Sequence, residues 1–408
     1  YDQNRNKIRI SNSLYWWWRG IRFDRRKSMI DFTLTSEQEL IQKTAREFAK
    51  EHLAPGVIER DDKAEFPTEQ IKVMGELGFM GMMVPEEWSG AGFDTLTYVI
   101  AMEEIAAVEL ATSTIMSVNN SLVCQLFVDY GTEDQKEKYL KPLAIGEKLG
   151  AYSLSEPESG SDASNMRTFA KKEWDHYVIN GTKNWVTNGI NGDIVILFCM
   201  TEKNVGYKGI SAFVVEKGTL GLSTGKKENK LGIRASDTCE LYFENCLIPC
   251  GNMIGEEGQG FKVAMKALGG GRIGIAAQAL GLARAALDAS ISYAKERKQF
   301  GKTIGEFGAI QNKLADMATE IDAARMLVWR AAKLKDDGKN YYRESSMAKL
   351  YASSTAMKAA TECVQIHGGY GYMQEYGVER LMRDAKITQI YEGTSEIQQL
   401  VIGRDLLK

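Results

Sequence analysis

The chain has 408 residues, 44% hydrophobic and 26% charged, which is ordinary for a globular protein of two or three domains. Its formal net charge of −3 at pH 7 is too small to indicate a nucleic-acid or membrane-surface partner. The three histidines lack metal-ligand spacing and the six cysteines lack a Cys-x-x-Cys pair. Neither a metal site nor a disulfide framework is expected, and a reducing compartment is the default.

The first 28 residues differ from the rest of the chain. They carry eight Lys and Arg against two Asp, a charge of +6, so subtraction from −3 leaves about −9 on the remainder. They show no helical or strand periodicity, and Met29 suits the start of the globular part. We interpret residues 1–28 as a non-core leader of translated upstream sequence, with an organelle transit peptide as the alternative. The expected location is the bacterial cytoplasm, or the mitochondrial matrix under that alternative.

Helical spacing begins at Thr35, where overlapping capping boxes in residues 35–39 precede an apolar stripe. The same spacing resumes at four later segments, residues 68–77, 95–108, 113–130 and 133–143. We therefore predict an N-terminal α domain over residues 29–148.

Short runs rich in β-branched and aromatic residues follow. The longest apolar run, residues 194–200, is too short to span a bilayer and predicts a buried strand. Asn180 and Gly181 between two such runs predict a β-hairpin with a type I′ turn. Because no ordinary helix separates these strands, antiparallel pairing is favoured, and residues 149–256 are predicted to form a barrel-like β domain.

Helical spacing returns beyond residue 260 and continues through residues 304–334, 342–367 and 374–404. Residues 257–408 are therefore predicted to form a C-terminal α bundle, which makes the fold mainly α with an inserted antiparallel β domain. Residues 269–274 satisfy the G-x-G-x-x-G pattern, but they follow a helical pattern instead of a strand, so a dinucleotide-binding fold is rejected.

Several segments have compositions that suit ligand binding, although each also has a simpler interpretation. Residues 152–162 join two predicted domains with hydroxyl and small side chains, or form only a capped turn. Residues 365–372 hold three glycines in four positions, or form only a helix C-cap. Trp185 ends a strand and by itself indicates a core residue. Glu392 lies beside an aromatic residue, where desolvation would make it a stronger base, yet a surface glutamate is simpler and Glu396 is an equal candidate.

Together, these segments resemble the acyl-CoA dehydrogenase family from about residue 31 to residue 408. The motifs that carry the resemblance are residues 154–157 with 160–162, 185–189, 296–301, Gln365 with 368–371, Arg380 with Asp384, and 391–394. Within the family the chain is most similar to the short-chain (butyryl) branch, through residues 115–122 and 391–398.

The resemblance implies FAD-dependent α,β-dehydrogenation of a short-chain acyl-CoA to a trans-2-enoyl-CoA, with electrons passed to an electron-transfer flavoprotein. Glu392 is the implied catalytic base. The residues expected to contact FAD are Tyr152, Leu154, Ser155, Gly160, Ser161, Trp185, Val186, Thr187, Arg297, Phe300, Gln365, Gly368, Gly369, Thr394 and Glu396. The residues expected to contact substrate are Gly269, Arg272, Tyr391 and Gly393. A homotetramer is also implied, because the contacts from residues 297–300 and 365–369 reach the FAD of a neighbouring subunit.

Some branches, including the isovaleryl-specific one, place the base just before the arginine that is Arg272 here, but Gly271 has no carboxylate. The chain also departs from the family at Gly269, commonly Asp, at Gly308, commonly Gln, and at Glu158, commonly small and here expected to face solvent. The rivals are an acyl-CoA oxidase or nitroalkane oxidase of the same fold, and a catalytically idle flavoprotein scaffold.

Overall fold

The computed structural model describes residues 32–408, so the leader predicted at residues 1–28 lies outside the described residues. The described residues up to Glu39 belong to a short unit, and Leu40–Lys408 form a large one. In the short unit, Gln38 N donates to Thr35 Oγ1 at 3.2 Å and Thr35 N donates to Gln38 Oε1 at 3.1 Å. This reciprocal pair confirms a predicted capping box.

The first part of the described chain is helical, as predicted. Its α-helices are α1 (Ser36–Phe48), α2 (Val57–Lys63), α3 (Thr68–Glu76), α4 (Thr95–Ala106), α5 (Leu110–Ser117), α6 (Gln125–Tyr130), α7 (Glu133–Gln135) and α8 (Lys141–Ala144). The helix predicted at residues 113–130 is present, but a π-helical stretch, Val118–Cys124, joins α5 to α6. Such stretches are frequent at functional sites, and this one lies beside the candidate site described below.

The middle part is a single sheet of eight strands. They are β1 (Gly150–Ser153), β2 (Phe169–Glu173), β3 (His176–Thr187), β4 (Ile194–Met200), β5 (Ile210–Glu216), β6 (Leu222–Thr224), β7 (Thr238–Pro249) and β8 (Met253–Ile254). The order is β6-β7-β3-β2-β4-β5-β8, with β1 paired to β4. Pairing is mostly antiparallel, as predicted, but β1 and β2 both run parallel to β4.

The predicted hairpin turn at Asn180 and Gly181 is wrong. Strand β3 runs through both residues, and a register shift against β7 between Ile179 and Gly181 marks a bulge there. A Cβ on Gly181 would lie 2.4 Å from Thr168 Oγ1, so the glycine serves close packing. The turn lies earlier, where Glu173 pairs with His176 across two residues.

The last part is again helical. Its α-helices are α9 (Gly260–Glu296), α10 (Gly308–Asp336), α11 (Tyr342–His367), α12 (Val378–Thr388) and α13 (Ser395–Leu406), with a two-stranded ribbon of β9 (Lys298–Gln299) and β10 (Lys302–Thr303) after α9. The glycine-rich residues 269–274 lie inside α9, which supports the rejection of a dinucleotide-binding loop. The continuous helical pattern predicted over residues 374–404 is wrong, because α12 and α13 are separate helices.

Helix α9 is the centre of the helical packing. It contacts α4, α10, α11 and α12, and it also reaches the π-helical stretch and strands β4 and β5. One apolar core joins the N-terminal and C-terminal helices, and a second joins the N-terminal helices to one face of the sheet. The glycines of α9 therefore lie where both helical parts meet. None of the described helices is long and apolar enough to cross a membrane.

Candidate active site

The segment between α12 and α13 has a backbone conformation that a helix cannot adopt. Glu392 has φ 52° and Gly393 has φ 93°, both in the left-handed region. Such a conformation is uncommon for a glutamate and clusters at functional sites. Thr394 then caps α13, since its Oγ1 accepts a hydrogen bond from Ile397 N at 3.4 Å. Glu392 therefore lies in a loop between two helices and not within the single helix that the sequence pattern predicted.

Two buried side chains hold this break in place. Gln398 Nε2 donates to Glu392 O at 3.2 Å and to Gly393 O at 2.8 Å. Lys349 Nζ, from α11, donates to Gly393 O at 2.7 Å. Both are fully buried, and burial lowers the pKa of Lys349 to about 8. The backbone around Glu392 is thus fixed by hydrogen bonds from two helices.

The Glu392 carboxylate lies in an environment that favours its protonated form. Its Oε2 is buried and has no hydrogen-bond partner among the described residues. Burial raises the pKa of Glu392 to about 7, although the nearby charges of Lys349 and Arg272 act in the opposite direction. A carboxylate that titrates near neutrality suits a general base.

Gly271 on α9 faces this carboxylate directly. A Cβ at position 271 would lie 2.1 Å from Glu392 Oε2 and 2.8 Å from Leu122 Cδ2. The position identified as the rival base in the isovaleryl branch therefore points at the same spot as Glu392. The missing side chain at 271 leaves room for the Glu392 carboxylate.

Arg272 and Tyr391, two predicted substrate contacts, flank this spot with buried polar groups. Arg272 Nη1 donates to Ser346 Oγ at 3.2 Å, while its Nε has no partner among the described residues. Tyr391 OH donates to Gln278 Oε1 at 2.8 Å, and Gln278 in turn bonds two hydroxyls of α5. Burial lowers the pKa of Arg272 and raises that of Tyr391. The guanidinium thus keeps an unused donor beside the carboxylate.

The three departures from the family have different structural consequences. A Cβ on Gly269 would lie 2.4 Å from Tyr342 Cε1, so this tyrosine occupies the space that a larger residue at 269 needs. A Cβ on Gly308, the first residue of α10, would meet nothing within 4 Å. Glu158 is largely exposed, as expected, and pairs with the exposed Arg167.

The segment predicted to bind flavin is tied to β3 by a buried ion pair. Lys183 Nζ donates to Leu154 O at 2.9 Å and to Glu156 Oε1 at 2.8 Å. Although burial raises the pKa of Glu156, the Lys183 charge and backbone N–H donors bring it below its ordinary value. Asn184 N also donates to Ser155 O at 2.9 Å. The end of β3 therefore lies directly beside residues 154–156.

At that end of β3, Trp185 leaves an aromatic face uncovered. It has φ 61° in a region of register shift against β7, and 63% of the residue is exposed. Its neighbour Val186 is buried and Thr187 is partly buried. Gly160 and Ser161 are exposed, and a Cβ on Gly160 would meet nothing within 4 Å. An exposed indole next to residues 154–156, with an open polar turn a few residues further along the chain, fits a flat aromatic ring that carries phosphates, as FAD does.

Of the other residues predicted around flavin, Leu154 is buried and Tyr152 lies near the Glu392 carboxylate, whose charge, with burial, raises the pKa of Tyr152. Thr394 and Glu396 lie at the start of α13, directly after the loop that carries the Glu392 carboxylate. Of the predicted contacts, Tyr152, Arg272 and Tyr391 therefore lie close to the Glu392 carboxylate, and Gly393, Thr394 and Glu396 lie on the same segment of chain.

A second group of predicted FAD contacts lies in a separate cleft. Arg297, Gly368 and Gly369 line a cleft of about 420 Å³ whose lining includes neither Glu392 nor Trp185. Gln365 is exposed, and Phe300, with φ 52°, is 94% exposed. An aromatic side chain that projects this far suits a contact with another subunit. Arg297, Gly368 and Gly369 are therefore brought together with one another but not with the carboxylate, while Gln365 and Phe300 are next in sequence to residues of the cleft.

Two motifs that carried the resemblance have structural roles. Arg380 Nη1 donates to Asp384 Oδ2 at 3.1 Å within α12, and Asp384 Oδ1 accepts from Ile233 N at 2.5 Å. Burial raises the pKa of Asp384 to about 6. Asn119 and Asn120, in the segment typical of the short-chain branch, hydrogen-bond backbone groups of residues 79, 80, 82, 116, 143 and 150.

Sequence reasoning missed four residues of the site: Lys349, Gln398, Lys183 and Tyr98, a fully buried tyrosine whose hydroxyl is close enough to Glu392 for the carboxylate charge to act on its pKa. Lys349 and Tyr98 sit in ordinary helical patterns, so no local signal distinguishes them. Gln398 belongs to the motif at residues 391–398. Because α13 begins just after Gly393, a polar side chain one turn inside that helix can reach back to the loop, and this position could have indicated its role. Lys183 is a charged residue within an apolar strand pattern, which could have indicated a buried partner.

Comparisons with known proteins agree with the fold and its three-part organisation. Residues 35–147, 151–246 and 258–407 match the families described as the N-terminal, middle and C-terminal domains of acyl-CoA dehydrogenase. A short-chain specific acyl-CoA dehydrogenase of Clostridium acetobutylicum is 52% identical, over 93% of this chain and 100% of that protein.

Two solved structures have a TM-score of 0.92, and in both the match covers 93% of this chain and 100% of the other. One is butyryl-CoA dehydrogenase from Megasphaera elsdenii, 49% identical. The other, 50% identical, is a chain in a structure described as the electron transferring flavoprotein of Acidaminococcus fermentans.

Proposed function

The chain belongs to the acyl-CoA dehydrogenase family of FAD-dependent oxidoreductases, and on that premise we propose that it converts short-chain acyl-CoA thioesters to trans-2-enoyl-CoA with Glu392 as the base. One observation carries this assignment. The Glu392 carboxylate is buried, has a pKa raised to about 7, and faces the only other position from which the family supplies a base, Gly271.

The proposed reaction begins with removal of a proton from the substrate α-carbon. A C–H group beside a thioester carbonyl is a weak acid, so the base must have a raised pKa and the carbonyl must be polarised. Glu392 accepts this proton on its carboxylate, and we assign the Glu392 backbone N–H as a donor to the thioester oxygen. FAD, when bound, supplies the acceptor for the β-hydrogen, which leaves with its electron pair.

The neighbouring residues position the base. Gln398 and Lys349 fix the carbonyl groups of residues 392 and 393, so the carboxylate and the N–H of Glu392 are held as one unit. The side chains of Leu122 and Tyr391 exclude water from the carboxylate, which keeps its pKa raised. Arg272 has an unpaired Nε that suits an acceptor atom of the substrate.

We assign the FAD contacts to the two clusters described above, one on the same subunit and one reaching a neighbour. The first comprises residues 152–161, 185–187 and 394–396. The second comprises residues 297–300 and 365–369, whose exposed Phe300 and separate cleft support a homotetramer. The electron acceptor is an electron-transfer flavoprotein, in keeping with the description of one related structure. We place the enzyme in the bacterial cytoplasm.

Anaerobic reduction of the purified flavoprotein by a series of acyl-CoA thioesters tests this function. We expect butyryl-CoA to bleach the flavin fully and electron-transfer flavoprotein to restore its colour, with little hydrogen peroxide formed in air. Peroxide in proportion to substrate would identify an oxidase instead. A colourless protein that takes up no FAD would identify a scaffold.

A further inference from the structure

One face of α9 packs against the helical segment at residues 110–124 in a regular way. Gly271, Gly274 and Gln278 are spaced by three and four residues, so they share that face. Gly271 meets Leu122, Gly274 meets Ser117 and Ser121, and Gln278 meets Ser113 and Thr114. Because the contacts move backwards along one segment as they move forwards along the other, the two run antiparallel.

At the level of Gly274 this interface is closed by three hydroxyl groups. A Cβ there would lie 2.8 Å from Ser117 Oγ, 3.0 Å from Tyr98 OH and 3.2 Å from Ser121 Oγ. Tyr98 OH lies 2.9 Å from Ser121 Oγ and donates to Ser117 Oγ at 3.4 Å. All three side chains are buried, so no room is left for a carbon chain between the helices at this level.

The turn of α9 just before Gly271 lies towards solvent and towards lysine side chains. Gly269 faces the ring of Tyr342, which is 39% exposed, and a Cβ on Gly270 would lie 3.6 Å from Lys335 Nζ. Lys266 also lies close enough to act on the pKa of Lys335, as do the carboxylates of Asp129, which pairs with Lys266, and of Asp336, which accepts hydrogen bonds from the start of α4. The anionic part of an acyl-CoA would favour this end, so its acyl tail would point from Gly271 towards Gly274.

The distance between the base and the hydroxyl groups is short. Positions 271 and 274 are three residues apart on α9, which is about 4.5 Å along the helix axis. With the α-carbon of the substrate at the Glu392 carboxylate, this length accommodates the two further carbons of a butyryl chain. A longer chain would have to displace the Tyr98 ring and leave its hydrogen-bond partners unpaired.

We propose that Tyr98, held by Ser117 and Ser121, closes the acyl end of the cavity and restricts the enzyme to acyl chains of about four carbons. This inference rests on the proposed function and identifies the residue that sets its substrate range. Tyr98 lies on α4, and Ser117 and Ser121 lie on the following helical segment. The closed end of the cavity therefore depends on the packing of α4 and of that segment against α9.

The test replaces Tyr98 and measures chain-length preference. Tyr98→Ala removes the ring, and we expect the ratio of kcat/KM for octanoyl-CoA to that for butyryl-CoA to rise at least about tenfold. Tyr98→Phe keeps the ring and should keep the short-chain preference. Tyr139→Ala removes another buried tyrosine, which packs on Phe127, and should leave the ratio unchanged. Tyr98→Leu keeps more core volume and gives the same comparison if Tyr98→Ala does not fold.

A binding measurement separates pocket length from turnover. In a Glu392→Gln background, calorimetry should show that octanoyl-CoA gains affinity relative to butyryl-CoA when Tyr98 is shortened. An active wild-type enzyme with an unchanged ratio in both shortened variants would overturn this inference alone. A wild-type enzyme that acts on no acyl-CoA would overturn the proposed function, and this inference with it.

Discussion

Replacement of Gly271 by alanine tests whether a side chain at position 271 would occupy the space of the Glu392 carboxylate. The new Cβ would lie 2.1 Å from Glu392 Oε2, whereas ordinary contact begins at 3.4 Å, so the carboxylate must retreat by 3.4 − 2.1 = 1.3 Å. A misplacement of about 1 Å costs about 100-fold in rate. The carboxylate is the end of a flexible side chain, and Gly→Ala inside a helix is favourable by about 1 kcal/mol, so folding should survive.

The assay is stopped-flow reduction of the bound flavin by butyryl-CoA without oxygen. Gly271→Ala should slow the reduction about 100-fold while flavin content and melting temperature stay near those of the wild type. Gly270→Ala is the matched control on the same helix, because its Cβ would meet only the Lys335 side chain, at ordinary distances of 3.6 Å from Nζ and 3.9 Å from Cε. Reduction of Gly271→Ala at a rate within about threefold of wild type would refute the geometry, since such a small loss leaves no room for a displaced base.

Three further predictions concern the base, the flavin segment and the subunit contact. The pKa of Glu392 is raised to about 7 and its ionised form is the base, so kcat/KM should increase as the pH is raised from below 7 and level off above it. A flat profile of kcat/KM from pH 6 to 8 would contradict this. Lys183→Met leaves Glu156 buried and unpaired, which should cost about 3–5 kcal/mol of stability and weaken FAD binding, whereas Lys171→Met in an exposed pair should cost under about 1 kcal/mol. Similar melting temperatures and FAD dissociation constants for these two variants would argue against the buried pair. Phe300→Ser should yield smaller species in sedimentation and lower FAD occupancy, and an unchanged tetramer that keeps its FAD would count against that contact.

Helix existence and the broad order of the chain could be predicted from sequence because they depend on local periodicity. The capping box at Thr35 and the helix over residues 342–367 follow from spacing alone. The hairpin at Asn180 and Gly181 could not be resolved locally, because an Asn-Gly pair suits a turn and a bulge equally well. The close approach of Thr168, which requires glycine at 181, is a tertiary contact.

The site shows the same division between local and tertiary information. Glu392 had no local feature that separated it from other glutamates, and the resemblance to a family singled it out. The helical pattern over residues 374–404 did not indicate the loop between α12 and α13 that contains Glu392. The left-handed conformations of Glu392 and Gly393 in this loop are stabilised by hydrogen bonds from Lys349 and Gln398. Such partners are visible only after α11 and α13 have packed.

The most direct measurement of the central claim is the reduction of flavin by butyryl-CoA in Glu392→Gln. This variant keeps the size of the side chain and removes its ability to take a proton. It should bind FAD with a normal spectrum and bind butyryl-CoA, yet bleach at least about 100-fold more slowly than the wild type. Bleaching at the wild-type rate would contradict the assignment of Glu392 as the base.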